Sequence, residues 1–381
     1  MSAAILMPER VWEASGHTEL FTDPLVECTT CNERVRADQP EVIQDHEAKH
    51  TRENKKTGWS EPKVFNLLVS TRLGASETTA SKVYLRGEIT QGVEVNFKNI
   101  LDSMHPKLPF GIGQIGKAFR NEITPRDFLF RQREFEQMEL QYYVKPDEVV
   151  GREAFEYWKQ FSLDFYLTLG FTKENVRLRE HRSDERAHYA KEAWDIEYHT
   201  PFGWKEAWGI HHRADWDLRR HSEYSKVDLS YFDEASGERF IPWDIECSGG
   251  VDRAVLFTLL DAYDEDELGG EKRAVLRLKP LIAPIKVAVF PLLKNKPDLV
   301  QKARAIYTSL KKEVPQSVFD DNGNIGKRYR RQDEVGTPWC ITIDFESLEN
   351  DTLTLRDRDT GEQERLSLPD ILAKIKERVL A

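Results

Sequence analysis

The sequence predicts an α+β protein of two domains, a larger strand-rich one followed by a small α/β one, and three observations carry that prediction. At 381 residues the chain exceeds the ~100–200 residues of an ordinary domain. Strand and turn signals dominate Glu61 to Tyr143 and return further on. Between them, residues 147–168 (DEVVGREAFEYWKQFSLDFYLT) repeat apolar side chains at helical spacing and predict an amphipathic helix. After about residue 280, strand and helix patterns alternate, which predicts a small α/β unit with a mostly parallel sheet. No Gly-x-Gly-x-x-Gly sits between a strand and a helix, so a Rossmann nucleotide site is not expected.

Taken in order, residues 36–60 hold the polar, lysine-rich run QDHEAKHTRENKKTG, read as an exposed insertion or loop. YLRGEITQGVEVNF, from Tyr84, reads as strand, with Glu94 an odd acid on an otherwise apolar stretch. The first domain spans 1–265, with 147–240 an inserted helical and strand region. DEDELGGEKRAVLRLKP is charged, carries two glycines, ends in proline and reads as a linker. The second domain, 280–381, opens with the strand IKVAVFP and a helix from near Pro297. A strand near Ser317, a basic turn after Asn324, strands at Trp339–Phe345 and Thr352–Arg356, and a helix from Leu368 complete it.

With 39% hydrophobic residues the chain can build ordinary cores, and four scattered cysteines argue for a reducing compartment rather than a disulfide framework. No apolar run approaches the ~20 residues of a membrane span and no leader pattern opens the chain, so the expected location is cytoplasmic. A net charge of −11 disfavours non-specific nucleic-acid binding, so RNA contact needs a local basic patch. Lys327, Arg328, Arg330 and Arg331 form the best one, although a solvated helix face explains that run equally well.

Two stretches carry the chemistry: Phe119-Arg120-Asn121-Glu122, and Phe130-Arg131-Gln132-Arg133-Glu134-Phe135-Glu136-Gln137-Met138-Glu139. Read as strands, they alternate faces with period 2, placing Arg120 with Glu122, and Arg131, Arg133, Phe135, Gln137 and Glu139 together. Arginine forks suit phosphate, an aromatic face suits a stacked base, and glutamates beyond them suit an ammonium group. The set reads as a site for ATP plus an amino acid.

This arrangement resembles motif 2 of the class II aminoacyl-tRNA synthetases, an aromatic-Arg-x-Glu strand, a loop, then Arg-x-x-x-Phe. Ile245-Glu246-Cys247-Ser248-Gly249-Gly250-Val251-Asp252-Arg253, followed by AVLFTLLDAY, is similar to motif 3: strand, glycine turn, and arginine at a helix start. RVWEASGH from Arg10, FTDPLV, RVRAD, YLRGEITQG, FGIGQIGKAFRNE, HYAKEAWDIEY from His188 and GWKEAWGI extend the resemblance to the dimeric type of glycyl-tRNA synthetase over essentially the whole chain.

That resemblance implies a class II antiparallel-sheet catalytic domain followed by an anticodon-binding domain. It implies activation of glycine with ATP and transfer to the 3′ end of tRNA(Gly), with Mg2+ on the phosphates. Arg120, Glu122 and Arg253 are the implied catalytic residues. Arg120 holds the α-phosphate, Arg131 and Arg253 the outer phosphates, Phe135 stacks on adenine, and Glu206 holds magnesium-bound phosphate. Asn121, Phe130, Gln132, Arg133 and Glu134 complete the implied ATP site from motif 2. Ala207 beside Glu206, and Gly250, Val251 and Asp252 in motif 3, join them. Around the glycine ammonium the implied groups are Glu88, Glu139 and Glu246, with Ser248 beside them and Arg36 from RVRAD. Phe135, Glu136, Gln137, Met138, Ile245, Cys247 and Gly249 line the same implied pocket. The alternative is a catalytically silent relative acting as a binding or accessory subunit, and a synthetase for another small amino acid is a third reading.

Several residues depart from the family. Gly87 and Ile89 stand where it carries proline and threonine, Glu94 where it carries an aromatic or aliphatic residue, and Cys247 where it carries proline. The family's homodimer is built on a helix upstream of Arg10 that this sequence does not show, so the oligomer is left open. Cys28-x2-Cys31 and His46-x3-His50 have zinc-site spacing. PEVIQD between the pairs offers few apolar residues for a finger core, and the family's zinc-carrying members use a second cysteine pair where Lys55-Lys56 stands. These four residues are therefore assigned no metal, with zinc as the alternative.

Overall fold

The computed structural model describes residues 1–76, 80–123, 125, 127–182, 186 and 190–380. His188 and Tyr189, which open the HYAKEAWDIEY segment, lie outside the described residues. The chain divides into two compact units, residues 1–163 with 177–256, and residues 164–176 with 257–381.

The first unit is organised by a six-stranded sheet in the order Phe110–Phe119, Glu134–Val144, Trp243–Gly250, Gly203–Ala214, Glu192–Thr200, Val176–Glu180. The pairings of the first five strands are antiparallel. Register then sets the chemistry. Gln114, Glu139 and Ser248 lie side by side in one row, and Gln141, Glu246 and His211 in the next. Side chains alternate across a sheet, so both rows present polar groups to the same face. Along Glu134–Val144 the buried positions on that face are Gln137, Glu139, Gln141 and Tyr143.

The expected amphipathic helix runs Glu148–Leu169. Asp147 starts it by accepting from the Val149 and Val150 N–H groups at 2.9 and 3.1 Å. In contrast, the stretch after Glu88 read as strand is helical, as Thr90–Glu94 and Phe97–Met104. Apolar Val93 and Phe97, four apart, pack with Ile112, Tyr143, Leu218 and Leu229, a spacing that fits a helical face. Glu94 is thereby explained: it is fully buried and accepts from the Tyr143 hydroxyl at 2.9 Å. Burial, then the nearby Asp217, holds its carboxyl well above the ordinary range, so it packs as a neutral acid.

Two three-stranded sheets, one of Leu6–Pro8, Ser81–Leu85 and Val69–Leu73, the other of Arg34–Arg36, Thr22–Glu27 and Lys63–Asn66, and a two-stranded one of Tyr231–Asp233 and Glu238–Phe240 complete the described sheets of this unit. The polar run read as a loop holds the helix Pro40–Arg52, started by Pro40 and Glu41 and ended by Lys49, His50 and Arg52.

In the second unit the expected linker is a hairpin, Tyr263–Leu268 with Glu271–Leu276. Gly269 and Gly270 both take positive φ, 63° and 81°, which a two-residue hairpin turn demands. Its charges are spent in pairs: Arg273 grips Asp266 at 2.6 Å, and Arg277 reaches Asp264 and Asp266. A five-stranded sheet follows, ordered Ser317–Phe319, Val287–Pro291, Trp339–Ile343, Thr352–Asp357, Gln363–Ser367. The first three strands are parallel and the last two pairings antiparallel, so the sheet is mixed rather than mostly parallel. Val287, Val289, Leu299, Ile341, Leu353 and Ile371 form its core with the helices Pro297–Glu313 and Leu368–Leu380.

Candidate active site

The strand Phe110–Phe119 stops one residue before Arg120, and Glu134–Val144 starts one residue after Arg133, so the key arginines sit on the loop that joins them. The Arg120 N–H donates to the Arg133 carbonyl at 2.9 Å and the Arg133 Nε donates to the Glu122 carbonyl at 2.8 Å, which keeps the loop ends paired. The Arg120 guanidinium is fixed by the Gly87 carbonyl at 3.1 Å, and it lies over Phe21 and Phe135 at 5.1 and 5.3 Å. Glu122 is buried, with Arg131 3.4 Å away.

At the facing wall, Arg253 lies on the first turn of the helix Val251–Ala262. Its guanidinium covers Phe130 at 4.4 Å and meets Glu206 at 3.4 Å. Gly249 is required by packing: a Cβ there would stand 2.2 Å from the Trp208 ring and 3.2 Å from a backbone carbonyl. Asp252 accepts from the Glu136 N–H at 2.8 Å and ties the helix start to the motif 2 strand.

These walls line a cleft with a cavity of about 90 Å³. Arg120, Glu122, Phe130, Arg131, Gln132 and Phe135 line it from motif 2, with Glu136 and Gln137 deeper. Glu206, Ser248, Gly249, Gly250, Asp252 and Arg253 line the other side. Asn121 is exposed, and its N–H donates to the Leu67 carbonyl. Arg133 and Glu134 turn to a separate shallow depression with Lys117 and Phe128, where Lys117 pairs with Glu134. Ala207 is buried beneath the cleft, and Val251 is outside its lining.

Behind Ser248, which lines the cleft, three carboxylates form a buried acidic cluster. Glu88, Glu139 and Glu246 are all buried, at 8, 5 and 3% exposure. The Thr90 hydroxyl stands between two of them, 2.6 Å from Glu139 Oε2 and 2.9 Å from Glu246 Oε2. Ser248 donates to the other Glu139 oxygen at 2.9 Å. Cations behind the pocket divide the acids. Arg213 and His211 hold Glu246 at 2.8 and 2.7 Å, and His17 holds Glu88 at 3.1 Å. Burial alone would raise all three. Arg213 and His211 overcome it at Glu246 and His17 at Glu88, bringing each to about 2, whereas burial, then the charges of Glu246 and Glu88, push Glu139 up to about 8.

The polar shell of Thr90, Gln91, Gln141, His211, Arg213 and Asp217 was not anticipated. Thr90 and Gln91 stand inside the YLRGEITQG segment, but a hydroxyl and an amide give no charge signal. Met138, Ile245 and Cys247 alternate with the pocket residues and point to the opposite side of the sheet. Cys247 meets Ser162 of the long helix there, and burial pushes its thiol far above the ordinary range. These three therefore do not face the pocket. Arg36 lies on the three-stranded sheet, bound to Asp23 and Asp38 at 2.6 Å each, and shares a smaller cavity with Glu122 and Arg131.

The basic run at Lys327–Arg331 is helix, not turn. Asn324 caps Ile325–Val335 by accepting from the Lys327 N–H. Lys327 is exposed. Arg330 pairs with Glu271 at 3.0 Å and Arg331 with Asp320 at 2.5 Å. Arg328 is 1% exposed and donates to the carbonyls of Pro291, Leu292 and Gly323. A guanidinium spent on buried carbonyls is structural, so Arg328 is withdrawn from the RNA-contact set.

Outside the cleft, Cys28, Cys31, His46 and His50 bring one ligand atom each within 4.8 Å of one another.

Comparison with known proteins agrees with this geometry. Residues 76–278 match the tRNA synthetase class II core domain (G, H, P, S and T), and residues 286–378 match an anticodon binding domain. A glycine–tRNA ligase of Caldanaerobacter subterraneus is 47% identical over 403 residues, covering 100% of this chain and 86% of that protein. The chain belongs to the glycine–tRNA ligase family. A glycine–tRNA ligase of Geobacillus kaustophilus has the same identity and coverage. A threonyl-tRNA synthetase structure from Cryptosporidium parvum superposes with a TM-score of 0.66 at 17% identity, over 98% of this chain and 84% of that one, and shares the fold. The class II antiparallel core and the following anticodon-binding domain expected from the sequence are thus present. Among the described residues no helix is long and apolar enough to cross a membrane.

Proposed function

We propose that this chain activates glycine with ATP and transfers the glycyl group to the 3′ end of tRNA(Gly), as a cytoplasmic enzyme. One observation carries the choice of amino acid: three buried glutamates cluster behind Ser248, which lines the arginine-bearing cleft and donates to one of them. Glycine offers only an ammonium, a carboxylate and no side chain. Carboxylates serve the ammonium through charge-assisted hydrogen bonds.

The first step joins the glycine carboxylate to the α-phosphorus and expels pyrophosphate. Negative charge grows on phosphate oxygens, so positioning and electrostatics supply most of the catalysis and no protein nucleophile is needed. Arg120, held between two rings and a carbonyl, is preorganised for the α-phosphate beside the carboxylate. Arg131 and Arg253 sit at the cleft walls for the outer phosphates. Phe135 offers a ring to adenine, and Glu122 accepts from the adenine amino group. Glu206, a half-exposed carboxylate at the cleft edge, suits a hard cation that keeps several waters, and Mg2+ there would neutralise phosphate charge.

The decisive measurement is pyrophosphate exchange with each of the twenty amino acids. Glycine alone is expected to support it. Comparable rates with alanine or serine would remove the argument from the acidic cluster: a lost methylene contact discriminates by only ~1–3 kcal/mol, so excluding alanine rests on a rigid wall that clashes with its methyl group.

A further inference from the structure

We propose that Cys28, Cys31, His46 and His50 form a structural zinc site that clips the hairpin carrying Arg36 to the helix Pro40–Arg52. PEVIQD between the two ligand pairs offers few apolar residues for a finger core. The structure shows what holds the segment in their place.

The local topology is strand, Cys-x2-Cys turn, strand, helix. Thr22–Glu27 leads into the turn, Arg34–Arg36 leaves it antiparallel, and the helix follows. His46 and His50 are four apart, hence on one helical face, and both are buried while nearly all the rest of the helix is at least partly exposed. The Cys28 N–H donates to the Glu33 carbonyl, and the Thr30 and Cys31 N–H groups bond back to the Cys28 sulfur, so the turn is wound around that atom. Cys31 Sγ is 3.5 Å from His46 Nε2. A tetrahedral zinc ion with Zn–S of about 2.3 Å and Zn–N of about 2.0 Å needs ligand separations of about 3.3–3.8 Å. The four ligand atoms lie within 4.8 Å of one another, about 1 Å wider than that range.

The second nitrogens provide an independent observation. His46 Nδ1 faces the Glu33 carboxylate at 3.4 Å and His50 Nδ1 faces the Lys56 carbonyl at 3.4 Å. His46 thus presents Nε2 to the Cys31 sulfur with a carboxylate at its Nδ1, and His50 has a backbone carbonyl at its Nδ1, the support that zinc-bound histidines receive. Two thiolates with two neutral imidazoles give a neutral S2N2 site with zinc, at the release of two thiol protons. Lys56, the position that looked unsuited to zinc, contributes through its backbone.

The consequence reaches the cleft. Arg36 ends the second strand of the clipped hairpin and shares a cavity with Glu122 and Arg131 of motif 2. Metal loss would loosen the hairpin that presents it.

The test uses the full chain from zinc-supplemented growth. Elemental analysis after dialysis is expected to give one zinc per chain, and Cys31→Ser and His50→Gln should each lose it. His46→Cys keeps a ligand and should retain it. Cobalt exchanged into the wild-type chain should show the sulfur-to-metal charge-transfer band of two thiolates with tetrahedral ligand-field bands, which needs no variant to fold. Exposed Cys31 should resist a thiol reagent until a chelator is added. A wild-type chain without stoichiometric zinc, unchanged zinc in both loss variants, or a cobalt spectrum without thiolate character would overturn the proposal.

Discussion

At the residue scale the acidic pocket poses a question of protons. Thr90 has one hydroxyl hydrogen yet touches both Glu139 and Glu246. Glu246 already receives Arg213 and His211 and stays ionised. A proton on Glu139 resolves the conflict: its O–H donates to Thr90, which donates to Glu246. Burial and the two neighbouring acids push Glu139 to about 8, in the same direction. An entering ammonium favours the ionised form, so glycine binding must expel this proton below pH 8. The sign follows: the glycine KM in pyrophosphate exchange should fall as pH rises from 6 to 8, by up to about tenfold per unit at the acid end. Glu139→Gln cannot release a proton, and its KM should be higher and flat over that range. A wild-type KM that rises with pH, or a slope that survives in Glu139→Gln, would place the proton elsewhere.

At the element scale, what the sequence revealed depended on whether apolar side chains set the pattern. The long helix at Glu148 was legible because its apolar residues repeat; motif 2 was legible from its residue types, although its arginines lie on the loop between the strands and strand alternation holds only from Glu134 on. Pro40–Arg52 was missed because histidines make its buried face, and histidine counts as polar in any periodicity. The hairpin at Tyr263 was mistaken for a linker because ion pairs rather than an apolar face stabilise it, although Gly269-Gly270 gave the turn. Thr90–Glu94 reads as strand in the sequence because the surrounding strands supply the context. The basic run failed in another way. Charge shows where arginines are, not which are already used, and Arg328 is used on carbonyls at the end of Val287–Pro291. Arg328→Ala strips those buried acceptors of their donors and should destabilise the second unit by about 2–3 kcal/mol, read by denaturant unfolding. Lys327→Ala, on the exposed side of the same helix, should change stability by less than about 0.5 kcal/mol. Equal stability for the two variants would mean the guanidinium is dispensable.

At the scale of the whole molecule, the division into a unit with the cleft and a unit with the basic helix allows the two half-reactions to be separated. All the groups proposed for adenylate formation lie within residues 17–253, and the remaining basic candidates, Lys327, Arg330 and Arg331, lie in the other unit. Arg330 and Arg331 already pair with Glu271 and Asp320, but those carboxylates are exposed or near the surface, and such pairs are weak enough to exchange for phosphate. Replacing the three by alanine, with Arg328 kept so that the helix stays anchored, should leave glycine-dependent pyrophosphate exchange near wild type. Charging of tRNA should weaken, and its dependence on salt should flatten, since each lost phosphate contact removes about one released counterion. Exchange that collapsed together with charging would show the three residues to be structural. Charging that survived intact with an unchanged salt slope would show that the helix presents only a solvated face, and that RNA is gripped by a different surface of the chain.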